Sequence, residues 1–194
     1  MLSELLKHKT LILGSKSPRR KELLEGLGIQ FETRTKEVEE TFSPEINPYK
    51  VAEFLAEKKA SAFVNELNQD DIVITSDTIV LCEGEILGKP KNVEDAFRML
   101  TKLSGKSHEV ITGVCLKSLN KTISFSDTTK VWFNPLSTDE INYYISNYKP
   151  YDKAGSYGIQ EWIGYIGISK IEGTYFNVMG LPVNLLYKRL YEFI

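Results

Sequence analysis

Six consecutive residues, Ser15-Lys16-Ser17-Pro18-Arg19-Arg20, place hydroxyls and cations where an apolar run ends. Thr10-Leu11-Ile12-Leu13-Gly14 before them reads as a buried strand, and Ser17-Pro18 reads as a helix N-cap with proline at the first helical position. Such a junction aims unpaired backbone N–H groups and the helix dipole at an anion. Arg19 and Arg20 then fall in the first turn, where positive charge is unfavourable by about 0.3–1 kcal/mol. A polyanion in the turn would explain them. The pattern is not a G-x-x-x-x-G-K-[ST] loop, and an ordinary cap with exposed arginines has the same spacing. Arg20 can also pair with an acidic group elsewhere, which makes Ser15 and Arg19 the stronger anion ligands.

Four other features resist a purely structural explanation. Lys59 falls inside the apolar arc formed by Val51, Ala52, Leu55, Ala56, Ala62 and Phe63, whereas Lys58 lies on its flank. It is either a lysine snorkelling at the core's edge or an ammonium aimed at phosphate. Asp77 is the one charged residue between Ile72 and Leu81. A buried carboxylate there must be paired, hydrogen-bonded, exposed at a strand end or metal-bound. A catalytic or metal role and a carboxylate capping a local turn are the two readings. Lys89, between Gly88 and Pro90, is held by its neighbours' backbone limits, although a surface turn looks the same. The acidic run Glu37-Val38-Glu39-Glu40 reads equally as a solvated loop.

The rest of the composition removes alternatives. Net charge is -2, which leaves no electrostatic footprint for nucleic acid or an anionic membrane, so phosphate chemistry needs a local cationic pocket. Cys82 and Cys115 sit in apolar stretches and are expected buried and reduced. With only His8 and His108 besides, no zinc-type ligand cluster exists, and His108 reads as structural. No apolar run approaches the roughly 20 residues of a membrane span. The segment holding Glu4, Lys7 and His8 lacks the apolar core of a signal peptide, so a cytoplasmic location is expected. Carboxylates with several cations are the kit for metal-assisted phosphate chemistry.

The elements that must position these groups follow from pattern. The first helix runs to the stop signals Gly26 and Gly28, and a short strand near Phe31 leads to the acidic run. Asn47-Pro48 opens a helix expected to reach about Leu67. Ile72 to Cys82 is a strand, Glu83-Gly84 a turn, Ile86-Leu87 a short extended segment, and Asn92 caps a helix ending near Ser104-Gly105. His108–Lys117 and Thr122–Phe133 read as paired strands. Ser137 and Glu140 make a capping box. Tyr151 to Gly173 reads as loop and strand, and Pro182 starts a last helix with Leu185, Leu186, Leu190 and Phe193 on its apolar face. No linker or repeat appears, so residues 1–194 read as one α/β domain with a mixed sheet flanked by helices.

In order, these segments closely resemble the Maf family of nucleotide pyrophosphatases over nearly the whole chain. Ser15 to Arg20 is similar to the family's S-x-S-P-R-R opening, and Glu37 to Glu40 to its acidic segment. Leu55-Ala56-Glu57-Lys58-Lys59-Ala60 matches the helix in which a lysine precedes alanine, which selects Lys59. Ser76-Asp77-Thr78, Gly88-Lys89-Pro90, Leu103-Ser104-Gly105, Ile111-Thr112-Gly113-Val114, Asp152 to Gln160 and Met179-Gly180-Leu181-Pro182 follow. The resemblance implies an elongated sheet with two lobes around a nucleotide cleft, as in inosine triphosphate pyrophosphatases, and often a homodimer.

It also implies a Mg2+- or Mn2+-dependent enzyme that releases pyrophosphate from nucleoside triphosphates. The implied catalytic set is Asp77 as proton acceptor with Arg19, Lys59 and Lys89. Metal falls to Glu40 and Asp77, and substrate binding to Ser15, Arg19, Arg20, Thr78 and Gln160. Pro18 abutting Arg19, Thr78 after Asp77 and Gln160 closing its motif agree with the family branch that acts on dTTP and UTP. Gly14 and Ser76 stand where alanine is common in relatives. A nucleotide-binding regulator of cell division, acting through a partner without catalysis, is the alternative, and a purine-selective enzyme of the inosine/xanthosine type a second.

Overall fold

Ser17 does cap a helix: its side chain accepts from the Arg20 N–H, and Pro18 occupies the first helical position. This is seen in a computed structural model that describes residues 1–194. In chain order the first elements are α1 (Leu2–Leu5), β1 (Thr10–Leu13), α2 (Pro18–Glu25), β2 (Glu32–Thr33) and α3 (Pro48–Ser61). Then come β3 (Asp71–Cys82), β4 (Glu85–Leu87), α4 (Val93–Leu103), β5 (Ser107–Lys117) and β6 (Thr122–Phe133). The series ends with α5 (Thr138–Tyr148), α6 (Trp162–Gly167), β7 (Ile168–Glu172), α7 (Tyr175–Met179) and α8 (Val183–Phe193).

The strands pair in the order β2-β1-β3-β5-β6-β7, with β4 against β3. β1 is parallel to β2 and β3, while β3–β4 and β6–β7 are antiparallel, so the sheet is mixed as expected. The chain forms two compact units. Met1–Asp77, Thr112–Asp127 and Gly180–Ile194 make the first; Thr78–Ile111 and Thr128–Met179 make the second.

In the first unit, Ile12, Val73 and Cys115 of the strands bury against Ala56, Ala60 and Phe63 of α3 and the turn after it. Two contacts fix that helix. A side-chain carbon on Gly113 would collide with the backbone of Ala52, so α3 lies directly on β5 because Gly113 has none. The Thr75 hydroxyl donates to the Ala56 carbonyl at 2.6 Å. Gly14 has a similar reason: a methyl there would lie 2.8 Å from the Thr75 methyl and 3.1 Å from the Phe63 ring.

The second unit packs α4 and α5 over its own apolar core. Asn92 accepts from the Asp95 N–H at 2.8 Å to start α4, whose buried face is Ala96, Met99, Leu100 and Leu103, spaced for one side of a helix. The capping box of α5 is formed on both sides, and the helix ends at Lys149 in the left-handed region before Pro150.

Two expectations need correction. The helix opened by Asn47 ends at Ser61 rather than near Leu67; a separate 3-10 turn, Val64–Glu66, follows, with Phe63 buried between them. The stretch from Tyr151 to Gly173 is more helical than its glycines suggested. It contains a 3-10 turn at Ala154–Ser156 and the helix α6 before β7. Gly164 belongs to α6 because its bare backbone admits the Ile159 carbonyl, a packing role invisible in propensity.

Candidate active site

Thr75 and Asp77 lie two residues apart on β3, so they share a face, and Ala56 and Lys59 lie three apart on α3 and share a stripe. The Thr75–Ala56 hydrogen bond therefore sets Lys59 opposite Asp77, and their side chains form an ion pair. Glu40 reaches the same ammonium from the acidic loop, Oε1 to Nζ 2.7 Å. Lys59 is not a snorkelling lysine. Its side chain is 16% exposed and doubly paired, against 10% for Asp77 and 38% for Glu40.

Asp71, at the start of the same strand, shows what a structural carboxylate looks like here. It accepts from the Asn68 backbone at 3.0 Å and amide at 3.1 Å, capping a local turn. Asp77 caps no such turn. It pairs with Lys59, a cation that itself answers to a second carboxylate.

The turn between β1 and α2 borders Asp77 through Arg20. That guanidinium donates to the carbonyl of Ser76 and, through Nε, to the carbonyl of Gly180, each at 2.8 Å. Burial pulls it below its usual range, and the Asp77 charge opposes the shift. Arg20 thus ties the start of α2 to the residue before Asp77 and to the Met179-Gly180-Leu181-Pro182 motif. Ser76 reinforces the join with its own hydroxyl to Gly180 O at 3.2 Å. Ser15 is half-buried and accepts from the Ser17 N–H at 3.2 Å, and Arg19 is half-buried on the first turn of α2.

Thr78, Lys89 and Gln160 belong to the second unit. Thr78 follows Asp77 on β3 and is half-buried. Lys89 is exposed, but its neighbours are pinned: Gly88 O accepts from the Gly155 N–H at 3.0 Å, and Pro90 is buried. Gln160 sits in a turn closed by the Glu161 N–H on Gly158 O at 3.0 Å, and its Oε1 is buried without a hydrogen-bond partner. Tyr144, Lys153 and Glu161, which lie beside it, were assigned no role from sequence. Tyr144 is fully buried, and Lys153 pairs with both Asp152 at 2.8 Å and Glu161 at 3.0 Å. The Asp152-Lys153 pair within an otherwise apolar and glycine-rich run was the available clue.

The remaining candidates are inert. His108 is buried against Tyr157 and Phe133, as a structural histidine should be. Burial pushes the Cys115 thiol up to about 12 and raises Cys82 as well. No group of three or more His, Cys, Asp or Glu side chains converges anywhere. What converges is the carboxylate pair Glu40 and Asp77. Two hard oxygen donors suit Mg2+ or Mn2+, which complete their shells with phosphate oxygens and water.

No helix is long and apolar enough to cross a membrane. The solved structure of the Staphylococcus aureus Ham1 protein shares the fold, with a TM-score of 0.56 at 18% identity, over 95% of this chain and 99% of that one. Sequence similarity is far higher to a protein of Phocaeicola vulgatus named dTTP/UTP pyrophosphatase, 54% identical over 98% of both chains. A Flavobacterium johnsoniae protein of the same name is 52% identical, again over 98% of each. The profile described as Maf-like protein matches residues 10–193, and with these relatives it establishes that the chain belongs to the Maf family.

Proposed function

We infer that this chain hydrolyses dTTP and UTP to the monophosphate and pyrophosphate. The observation that carries the reading is the convergence of Glu40 and Asp77 on the Lys59 ammonium, one carboxylate from a loop and one from an otherwise uncharged strand. A fold has little use for two carboxylates and a lysine held at such desolvation cost unless they serve chemistry. The names of the relatives supply the substrate class.

In this reading Asp77 takes the proton of a water that attacks the α-phosphorus, and pyrophosphate leaves with its electron pair. Ser15 and Arg19 bind phosphate oxygens at the start of α2, where backbone N–H groups add to them. Lys59 and Lys89 supply further cations, while Arg20 holds the turn through its two carbonyl bonds and borders the substrate. Thr78 and Gln160 read the base, Gln160 because an amide both donates and accepts, as the imide edge of thymine or uracil does. A divalent cation held by Glu40 and Asp77 would neutralise phosphate charge and make water a better nucleophile.

Pyrophosphate release from dTTP, UTP, CTP, ITP and methylated GTP, each with Mg2+ or Mn2+, tests this directly. Turnover of dTTP and UTP above the others is expected. Nucleotide binding without turnover would instead support a regulator that acts through a partner, and preference for ITP would reverse the assignment of base selectivity.

A further inference from the structure

One hydroxyl holds both ends of the turn that carries Gln160. Tyr144, on α5, accepts from the Gly158 N–H at 3.0 Å and donates to Glu161 Oε2. Glu161 itself closes the turn on Gly158, so Ile159 and Gln160 are the two residues between the held ends. The other Glu161 oxygen takes the Lys153 ammonium at 3.0 Å, which is anchored in turn by Asp152. Burial, and next the bond to Glu161, push the Tyr144 hydroxyl far above its usual range, so it remains a donor.

Gly158 brings the Gln160 amide into this arrangement. A side-chain carbon there would lie 3.0 Å from Gln160 Nε2 and 3.1 Å from Glu161 Oε2. The amide NH2 end and the carboxylate thus both flank one bare backbone position, which only glycine can supply. A carboxylate nearby favours the NH2 end as its neighbour and leaves Oε1 as the unused acceptor of the amide. That Oε1 is buried and has no partner, so a donor on a bound base would satisfy it.

We propose that Tyr144, Glu161 and Lys153 are a positioning chain that fixes the orientation of the Gln160 amide and thereby sets selectivity for imide bases. The proposal rests on the reading that Gln160 contacts the base. Uracil and thymine present an N3–H donor to a fixed Oε1; cytosine presents a bare ring nitrogen, which a fixed acceptor repels. An amide free to flip offers Nε2 instead and accepts cytosine. The chain acts by preventing that flip.

The test compares kcat and KM for UTP and CTP in the parent, Tyr144→Phe, Glu161→Gln, Gln160→Ala and the Tyr144→Phe/Gln160→Ala double variant. The UTP-to-CTP ratio of kcat/KM should fall roughly five- to tenfold in each of the first two variants. The change should come more from KM than from kcat. In the double variant the ratio should fall no further than in Gln160→Ala alone. Glu161→Gln keeps the side-chain volume and carries the test if Tyr144→Phe fails to fold. A ratio unchanged in Tyr144→Phe and Glu161→Gln, with Gln160→Ala altering it, overturns the positioning chain alone. An additive fall in the double variant also overturns it, since plain destabilisation adds. If Gln160→Ala itself keeps the parental ratio, base reading by Gln160 fails and takes this proposal with it.

Discussion

Acid should weaken the second unit through one imidazole. His108 is 2% exposed, with Nε2 2.7 Å from the Tyr157 hydroxyl and Nδ1 without a partner. A protonated ring needs an acceptor at each nitrogen, and here one side has none, so burial lowers the His108 pKa from 6.5 to about 4. A lowered histidine pKa means that the unfolded chain binds the proton first. Stability is therefore unaffected above the unfolded value, is lost as pH falls from 6.5, and stops being lost below about 4. Those two values give a loss of about 2 kcal/mol at pH 5 and a limit of about 3 kcal/mol.

Several carboxylates act mainly below this window. Glu83, Glu85, Asp95, Glu140 and Glu172 are lowered by hydrogen bonds and ion pairs, so their contributions are present above their unfolded values of 4.5 or 3.8 and are lost at lower pH. Urea unfolding of the parent and His108→Phe at pH 7 and pH 5 is the assay. Phenylalanine keeps a ring against Phe133 and Tyr157 but orphans the tyrosine hydroxyl, so His108→Phe starts about 1–3 kcal/mol less stable at both values. Only the change between the two pH values matters. It should be about 2 kcal/mol in the parent and near zero in the variant. Equal losses in both proteins would show that His108 is not the acid-sensitive group.

Asp77→Asn should lower kcat by about 100-fold or more while thermal unfolding remains a single transition, measured by pyrophosphate release and calorimetry. Thr75→Val keeps the shape but removes the bond to Ala56, and should cost about 1 kcal/mol in urea unfolding while raising KM by letting Lys59 drift from Asp77. Gly113→Val drives a side chain into the backbone of Ala52 and should cost about 3 kcal/mol or more, read as loss of expression or of cooperative unfolding. Chelation of divalent cations should abolish pyrophosphate release, with Mg2+ or Mn2+ restoring it; full turnover in chelator would remove Glu40 and Asp77 from any metal-holding role.

The fold from β1 to Tyr148 was legible, apart from the end of α3, because short-range rules set it. Ser17-Pro18, Asn92 and the Ser137–Glu140 box each announce a helix with their own side chains, and β3 is long and β-branched. Tyr151 to Gly173 was not legible, since its order comes from specific contacts rather than from a periodic pattern. Tyr144 holds Gly158 and Glu161, Val80 packs against the bare backbone of Gly155, and Gly164 receives Ile159. No local pattern encodes those contacts. The same limit explains α3, whose helical pattern continues past Ser61 while burial of Phe63 redirects the chain.

Arg19 and Arg20 show where sequence reasoning about a site must stop. Both are arginines in one helical turn, both match the motif, and the dipole penalty applies to both. Arg20 is held by a pair of carbonyls from residues 56 and 160 positions away, Ser76 and Gly180. A guanidinium has five N–H donors in a rigid fork, so Arg20 can hold two carbonyls and still border a phosphate. A lysine there has one nitrogen and no fork. Arg20→Lys should therefore lose part of the join between α2 and β3, destabilising the protein by about 1–3 kcal/mol in urea unfolding. An Arg20→Lys variant as stable as the parent would show that the carbonyl clamp does not hold this turn.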